Sequence, residues 1–164
     1  MVLAAVVLAL AGCGEEDEPA PSSDRTATSS RPPPAAKGTA VKGTAAKGTA
    51  ITLRDSEFGT MLFDSKKRAI YIFERDRDRR TVCYGECAEA WPPVLTDGRP
   101  MAGEGVRGPL LDTSERRDGK RQVTYAGKPL YFYAHEAPGE VRCHNVDLNG
   151  GLWWVVGPDG KRRR

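Results

Sequence analysis

The chain has 164 residues, 25 basic against 22 acidic for a net charge of +3, and four cysteines. That length supports one domain of ordinary size. So small a charge excess lacks the concentrated basic footprint of a nucleic-acid binder, and no nucleic-acid partner is expected.

Val2 to Ala11 is an unbroken apolar run. It is too short for a membrane span, which needs about 20 residues, but has the size of a signal-peptide core. Residues 1–12 are therefore expected to be a signal peptide. The run ends in Leu10-Ala11-Gly12-Cys13, which resembles the lipobox of bacterial lipoproteins. The resemblance implies cleavage before Cys13 and diacylglycerol on its thiol, which makes the lipid bilayer the first expected partner. The acidic run Glu15 to Glu18 that follows leaves no neighbouring apolar segment for a buried helix to pack on.

Residues 13–50 read as a lipidated cysteine followed by a linker. Gly14 to Ala50 holds Pro, Ser, Thr, Ala, Gly and charge, with no aromatic residue, and cannot bury enough surface to order itself. The unit KGTA starts at Lys37, Lys42 and Lys47. A Gly-rich coil of this length reaches about 30 to 37 Å, enough to lift a domain off the headgroups toward a cell-wall or envelope component.

Residues 51–164 read as a mostly β domain built from two pseudo-repeated hairpin units, about 59–95 and 119–157, that form a small sandwich or barrel-like body. Gly59 to Asp76 lies on Gly119 to Glu136 at an offset of 60 without a gap, setting Phe63 on Val123, Ile70 on Leu130, Tyr71 on Tyr131, Phe73 on Tyr133 and Asp76 on Glu136. The same offset sets Cys83 on Cys143, and each is followed by tryptophan, at Trp91 and at Trp153-Trp154. In the first unit TMLF and AIYIF flank a DSKKR turn, and in the second RQVTY and KPLYFY flank Ala126-Gly127. Both alternating sets of AIYIF are apolar, so that strand is expected to be covered on both faces. A short helical turn is expected near Glu86–Ala90, stopped by Pro92-Pro93. The final KRRR reads as a solvated, frayed end.

YIFERD at Tyr71, CYGECAEAWPP at Cys83, RQVTYAGKPLYFY at Arg121 and GLWWVVGPDG at Gly151 together resemble the secreted-repeat lipoprotein family. The family carries a duplicated Y-x-(F/W/Y)-x-x-D motif, here Tyr71, Phe73, Asp76 and Tyr131, Tyr133, Glu136. The resemblance implies an extracytoplasmic, lipid-anchored protein of the bacterial cell membrane with no established activity. In this chain the second motif ends in Glu136 instead of aspartate, and Cys143-His144 adds a thiol.

Cys83, Cys87 and Cys143 remain as disulfide candidates in an oxidising compartment. The resemblance favours Cys83–Cys87, whereas chain entropy favours closing the longer loop to Cys143. The expected function is a non-catalytic β domain with an unknown ligand and no cofactor. The alternative is a redox or soft-metal site for copper or zinc built from Cys83, Cys87, Cys143 and His144 or a nearby His135. Asp76 and Glu136 are expected to cap turns after their strands, since a general acid and base need unlike environments. Tyr71, Tyr131, Tyr133, Trp91, Trp153 and Trp154 are expected in the core.

Overall fold

The computed structural model describes residues 48–164. The signal-peptide segment, Cys13 and most of the linker lie outside the described residues.

Among the described residues nine strands form three small sheets. In the first, β1 (Ala50–Arg54) sits between β2 (Met61–Asp64) and β4 (Met101–Ala102). In the second, β9 (Gly151–Val155) sits between β3 (Tyr71–Phe73) and β8 (Val146–Leu148). In the third, β6 (Arg121–Tyr125) sits between β5 (Leu111–Glu115) and β7 (Lys128–Pro129). Only β1 and β4 pair in parallel. The sheets do not close into a barrel. The expected helical turn is α1 (Glu86–Ala90), and a 3-10 turn at Gly108–Leu110 precedes β5.

Gly48 and Thr49 run directly into β1. The Thr49 hydroxyl donates to the Leu95 carbonyl at 2.7 Å, and a Cβ on Gly48 would stand 1.8 Å from the Arg99 carbonyl oxygen. Glycine is what lets the chain enter the domain there.

Both hairpins form, but their turns differ in length. The Asp64 amide donates to the Arg68 carbonyl around a three-residue loop with Lys67 at φ 66°, whereas Tyr125 pairs with Lys128 around Ala126 (φ 49°) and Gly127 (φ 74°). The second is a two-residue turn with both central residues left-handed, the type whose twist suits a hairpin. The extra residue shifts the register. Ile70 donates to the Leu62 carbonyl while its counterpart Leu130 donates to Val123, so Val123 is equivalent to Leu62 and not to Phe63. The gapless offset of 60 therefore fails ahead of the turn, where it becomes 61. It fails again at the tryptophans, where Glu74 donates to Leu152 as Ala134 donates to Ala90, an offset of 62. Trp153, not Trp154, is the counterpart of Trp91.

At the centre the two units meet. Tyr71 and Tyr131 exchange both backbone hydrogen bonds, at 2.9 and 3.0 Å, and their outer sides pair with Val155 and Pro93. Equivalent residues facing each other in an antiparallel bridge define an approximate two-fold axis through this point. The alternation of the central strands fills two cores. Leu62, Ile70, Ile72, Leu130 and Phe132 face one, while Phe63, Tyr71, Phe73, Tyr131 and Trp153 face the other. This is the two-sided coverage expected for AIYIF.

The final residues are not frayed. Val156 bridges Arg162, the Gly157 amide donates to Lys161 at 2.9 Å, and the Arg163 guanidinium donates to the Thr60 carbonyl. The Pro158-Asp159-Gly160 turn folds the basic segment back on β9, which composition alone does not indicate.

Candidate functional site

The motif residues of the two units converge on the axis, and they pair crosswise. The Tyr71 hydroxyl donates to Glu136 Oε1 at 2.7 Å, and the Tyr131 hydroxyl donates to Asp76 Oδ2 at 2.7 Å. Each tyrosine thus bonds the acid of the other unit. The geometry follows from antiparallel pairing, because each side chain on the axis projects along the path the partner strand takes toward its own acid. Asp76 also accepts the Val82 amide at 2.9 Å, and Glu136 the equivalent Arg142 amide at 2.6 Å. The acids therefore do more than cap a turn. Each closes a six-residue loop and staples it to the opposite unit.

Burial pushes the Asp76 carboxyl up to about 6, against the hydrogen bond from Tyr131 that favours its charged form. Burial likewise raises Glu136, whose Oε2 has no hydrogen-bond partner. Burial, reinforced by the facing carboxylates, holds the phenols of Tyr71 and Tyr131 far above the ordinary tyrosine range. Both tyrosines are hydrogen-bond donors across the accessible pH range.

Beneath these pairs four rings lie in sequence, Tyr133, Trp91, Trp153 and Phe73. Trp91 and Trp153 stack at 3.8 Å between centroids with planes 2° apart, Phe73 stacks on Trp153 at 4.2 Å, and Tyr133 lies against Trp91 at 4.7 Å. Tyr71 meets Trp91 edge-on at 5.4 Å and Tyr131 meets Trp153 edge-on at 5.1 Å. Every contact on one side of the axis has its counterpart on the other. The indole of Trp91 donates to Asn149 Oδ1 and that of Trp153 to the Leu148 carbonyl, so both buried N–H groups are satisfied. Of the six aromatics expected in the core, Tyr133 and Trp154 are only half-buried.

Cys83 and Cys87 form a disulfide with Cα atoms 5.3 Å apart, and Cys143 is a buried free thiol. Burial pushes Cys143 up to about 11, so it is protonated and a poor nucleophile at neutral pH. The soft-metal set is not assembled. Two of its thiolates are consumed by the disulfide, Cys143 faces the tryptophan core, and His144 packs on Phe58 at 4.3 Å and on Trp154 at 5.6 Å. Among the described residues no three His, Cys, Asp or Glu side chains are placed to hold one ion. His135 lies edge-on to Tyr133, away from any such group.

Three residues of this region escaped the sequence reading. Thr81 Oγ1 shares a hydrogen bond with the Tyr131 hydroxyl and accepts the Cys83 amide at 3.1 Å. Arg116 is 3% exposed, donating to Gln122 Oε1 at 2.7 Å and to the Cys83 carbonyl at 3.1 Å. Gln122 in turn donates to the Leu130 carbonyl at 2.8 Å. The one signal for them was a pair of polar residues, Gln122 and Thr124, at positions where a strand covered on one face alone would put them in water.

A protein-family model described as a secreted repeat of unknown function matches the chain twice, over residues 52–95 and 112–157. No curated protein and no solved structure matches it.

Proposed function

The chain belongs to the family described as a secreted repeat of unknown function, and from that premise we propose that it is an extracytoplasmic lipoprotein. In this reading it is tethered to the bacterial cell membrane through acylated Cys13 and displays its β domain as a non-catalytic binding module. A secreted family is in keeping with a place outside the cytoplasm. No helix among the described residues is long and apolar enough to cross a membrane, and a lipid on Cys13 would supply the attachment.

One observation carries the binding-module reading. The paired acids of the motif, where a hydrolase of the two-carboxylate kind would keep its acid and base, are each engaged by a tyrosine of the opposite unit and a backbone amide. They serve the frame that holds the units together.

The anchor is tested by metabolic labelling with a fatty-acid analogue and by fractionation of cells. Wild-type protein takes up label and sediments with membranes, and Cys13→Ala loses the label and appears in the soluble extracytoplasmic fraction. A Cys13→Ala chain that keeps both label and membrane association overturns the anchor.

A further inference from the structure

The approximate two-fold axis leaves one place where the units differ in what they cover. Phe132 and Ile72 are equivalent buried residues on the same face of the central strands. Over Phe132 lies the Arg68 guanidinium, 3.6 Å from the ring centroid and held by Asp64 at 2.7 Å. Over Ile72 there is a cleft of about 460 Å³, within the range of about 300–1,000 Å³ typical of small-molecule sites. Ile72, Pro129 and Trp154 supply apolar side chains to its lining.

The floor of the cleft is apolar and its rim is cationic. Arg77, Lys128, Lys161, Arg162 and Arg164 border it, and none of the five has a carboxylate within ion-pair distance among the described residues. The Lys128 ammonium donates to the Gly160 carbonyl at 3.2 Å, and the Arg162 guanidinium lies 4.5 Å from the Trp154 ring centroid. Two acids also border the space. Glu74 is exposed, and Asp76 has both oxygens bonded, to Tyr131 and to Val82. The Trp154 indole N–H is shielded and has no partner, whereas Trp91 and Trp153 both have theirs, so Trp154 offers the cleft its ring and not its donor. A buried donor without an acceptor costs about 1–3 kcal/mol. The loop after β3, β7 and the folded C-terminal segment thus set five cations without an ion-pair partner around an apolar lining.

We infer that this cleft binds a free amphiphilic anion, with the apolar body on Ile72, Pro129 and Trp154 and the carboxylate between Lys128, Lys161 and Arg162. Charge complementarity selects the head group, and the depth of the apolar floor selects a molecule that carries a hydrocarbon body over a bare inorganic anion. In the opposite unit Arg68, the counterpart of Lys128, lies over the Phe132 ring. The inference rests on the binding-module reading and names the class of its ligand.

The test uses the full chain carrying Cys13→Ala, purified without detergent, so that the outcome is independent of the fate of the anchor. Dodecanoate below its micellar concentration is titrated by calorimetry and followed by tryptophan fluorescence, with dodecyltrimethylammonium as the probe of opposite head charge. The expected result is saturable one-to-one binding of dodecanoate, with the cationic probe at least about tenfold weaker, the ratio for one charge-assisted contact. The double reversal Lys161→Glu, Arg162→Glu weakens dodecanoate by at least about tenfold at an unchanged melting temperature. Trp154→Phe shrinks the apolar wall by more than one buried CH2 and weakens binding about threefold or more. It carries the test alone if the reversal variant fails to fold. Equal binding of both head charges, indifference to these substitutions, or binding to anionic vesicles with none to monomeric dodecanoate overturns the inference.

Discussion

The Tyr131–Asp76 pair and the Tyr71–Glu136 pair occupy equivalent places about the axis and differ in what surrounds them. On the first side Thr81 bonds the tyrosine hydroxyl, both oxygens of Asp76 are satisfied, and the Cys83–Cys87 disulfide closes the next loop. On the second side Val141 stands where Thr81 does, Glu136 Oε2 is left without a partner, and the next loop ends in a free thiol. A shared frame therefore tolerates loss of polar satisfaction and of a covalent link in one unit while the other keeps both. What the units cannot vary independently is the ring stack, because each ring leans on its opposite number.

That contrast is broken most directly at the stack. Trp153→Ala removes the ring shared by Trp91, Phe73 and Tyr131 and is expected to cost about 3–5 kcal/mol in a urea unfolding experiment. Trp91→Ala should cost nearly as much, and a large difference between them would show that the stack is not symmetric in energy. Next come the hydroxyls. Tyr131→Phe strands both Asp76 Oδ2 and Thr81 and should lose about 2–3 kcal/mol. Tyr71→Phe strands Glu136 and the weaker Cys143 amide contact at 3.4 Å and should lose less in the same assay. Smaller again is the disulfide. The double substitution Cys83→Ala, Cys87→Ala opens a short loop and should cost about 2 kcal/mol by the chain-entropy model, with thiol titration of the Cys13→Ala chain showing a single reactive group only after denaturation.

The finest probe is pH. Asp76 is raised in the folded chain from 3.8 to about 6, so between those values the folded state holds a proton the unfolded state has released. Its contribution to stability is present below about 3.8 and is lost as pH rises through about 6. Glu136 is shifted in the same direction. The stability of wild type relative to Asp76→Asn should therefore increase as pH falls from 7 to about 4, the reverse of the usual carboxylate trend. A flat difference across that window would place the Asp76 carboxyl in water.

Much of this architecture was legible in the residues. Period-2 apolar alternation on both faces of AIYIF gave the two-sided core, the turn residues gave the hairpins, and the matched motifs gave the duplication. The crossing of the tyrosine–acid pairs was not legible, because Tyr71 and Asp76 lie within one motif and sequence proximity suggests a local bond. The one-residue slip in the hairpins was hidden for a related reason. Phe63 and Val123 are both apolar, and hydrophobicity alone does not distinguish a three-residue loop from a two-residue turn. The choice of disulfide needed a distance, since the family resemblance and loop entropy pointed to different partners. The C-terminal hairpin was masked by composition, as four consecutive basic residues look solvated whether or not one of them is pinned to Thr60.

The Tyr71–Tyr131 bridge has one more consequence. A contact in which a residue meets its own copy across a two-fold axis is the hallmark of an isologous dimer, and here both protomers are written into one polypeptide. The segment joining them makes their encounter intramolecular, with a tether-set effective concentration in place of a protein concentration. The dimer-like interface is therefore one that dilution does not dissociate, and each copy is free to diverge while the seam between them stays closed.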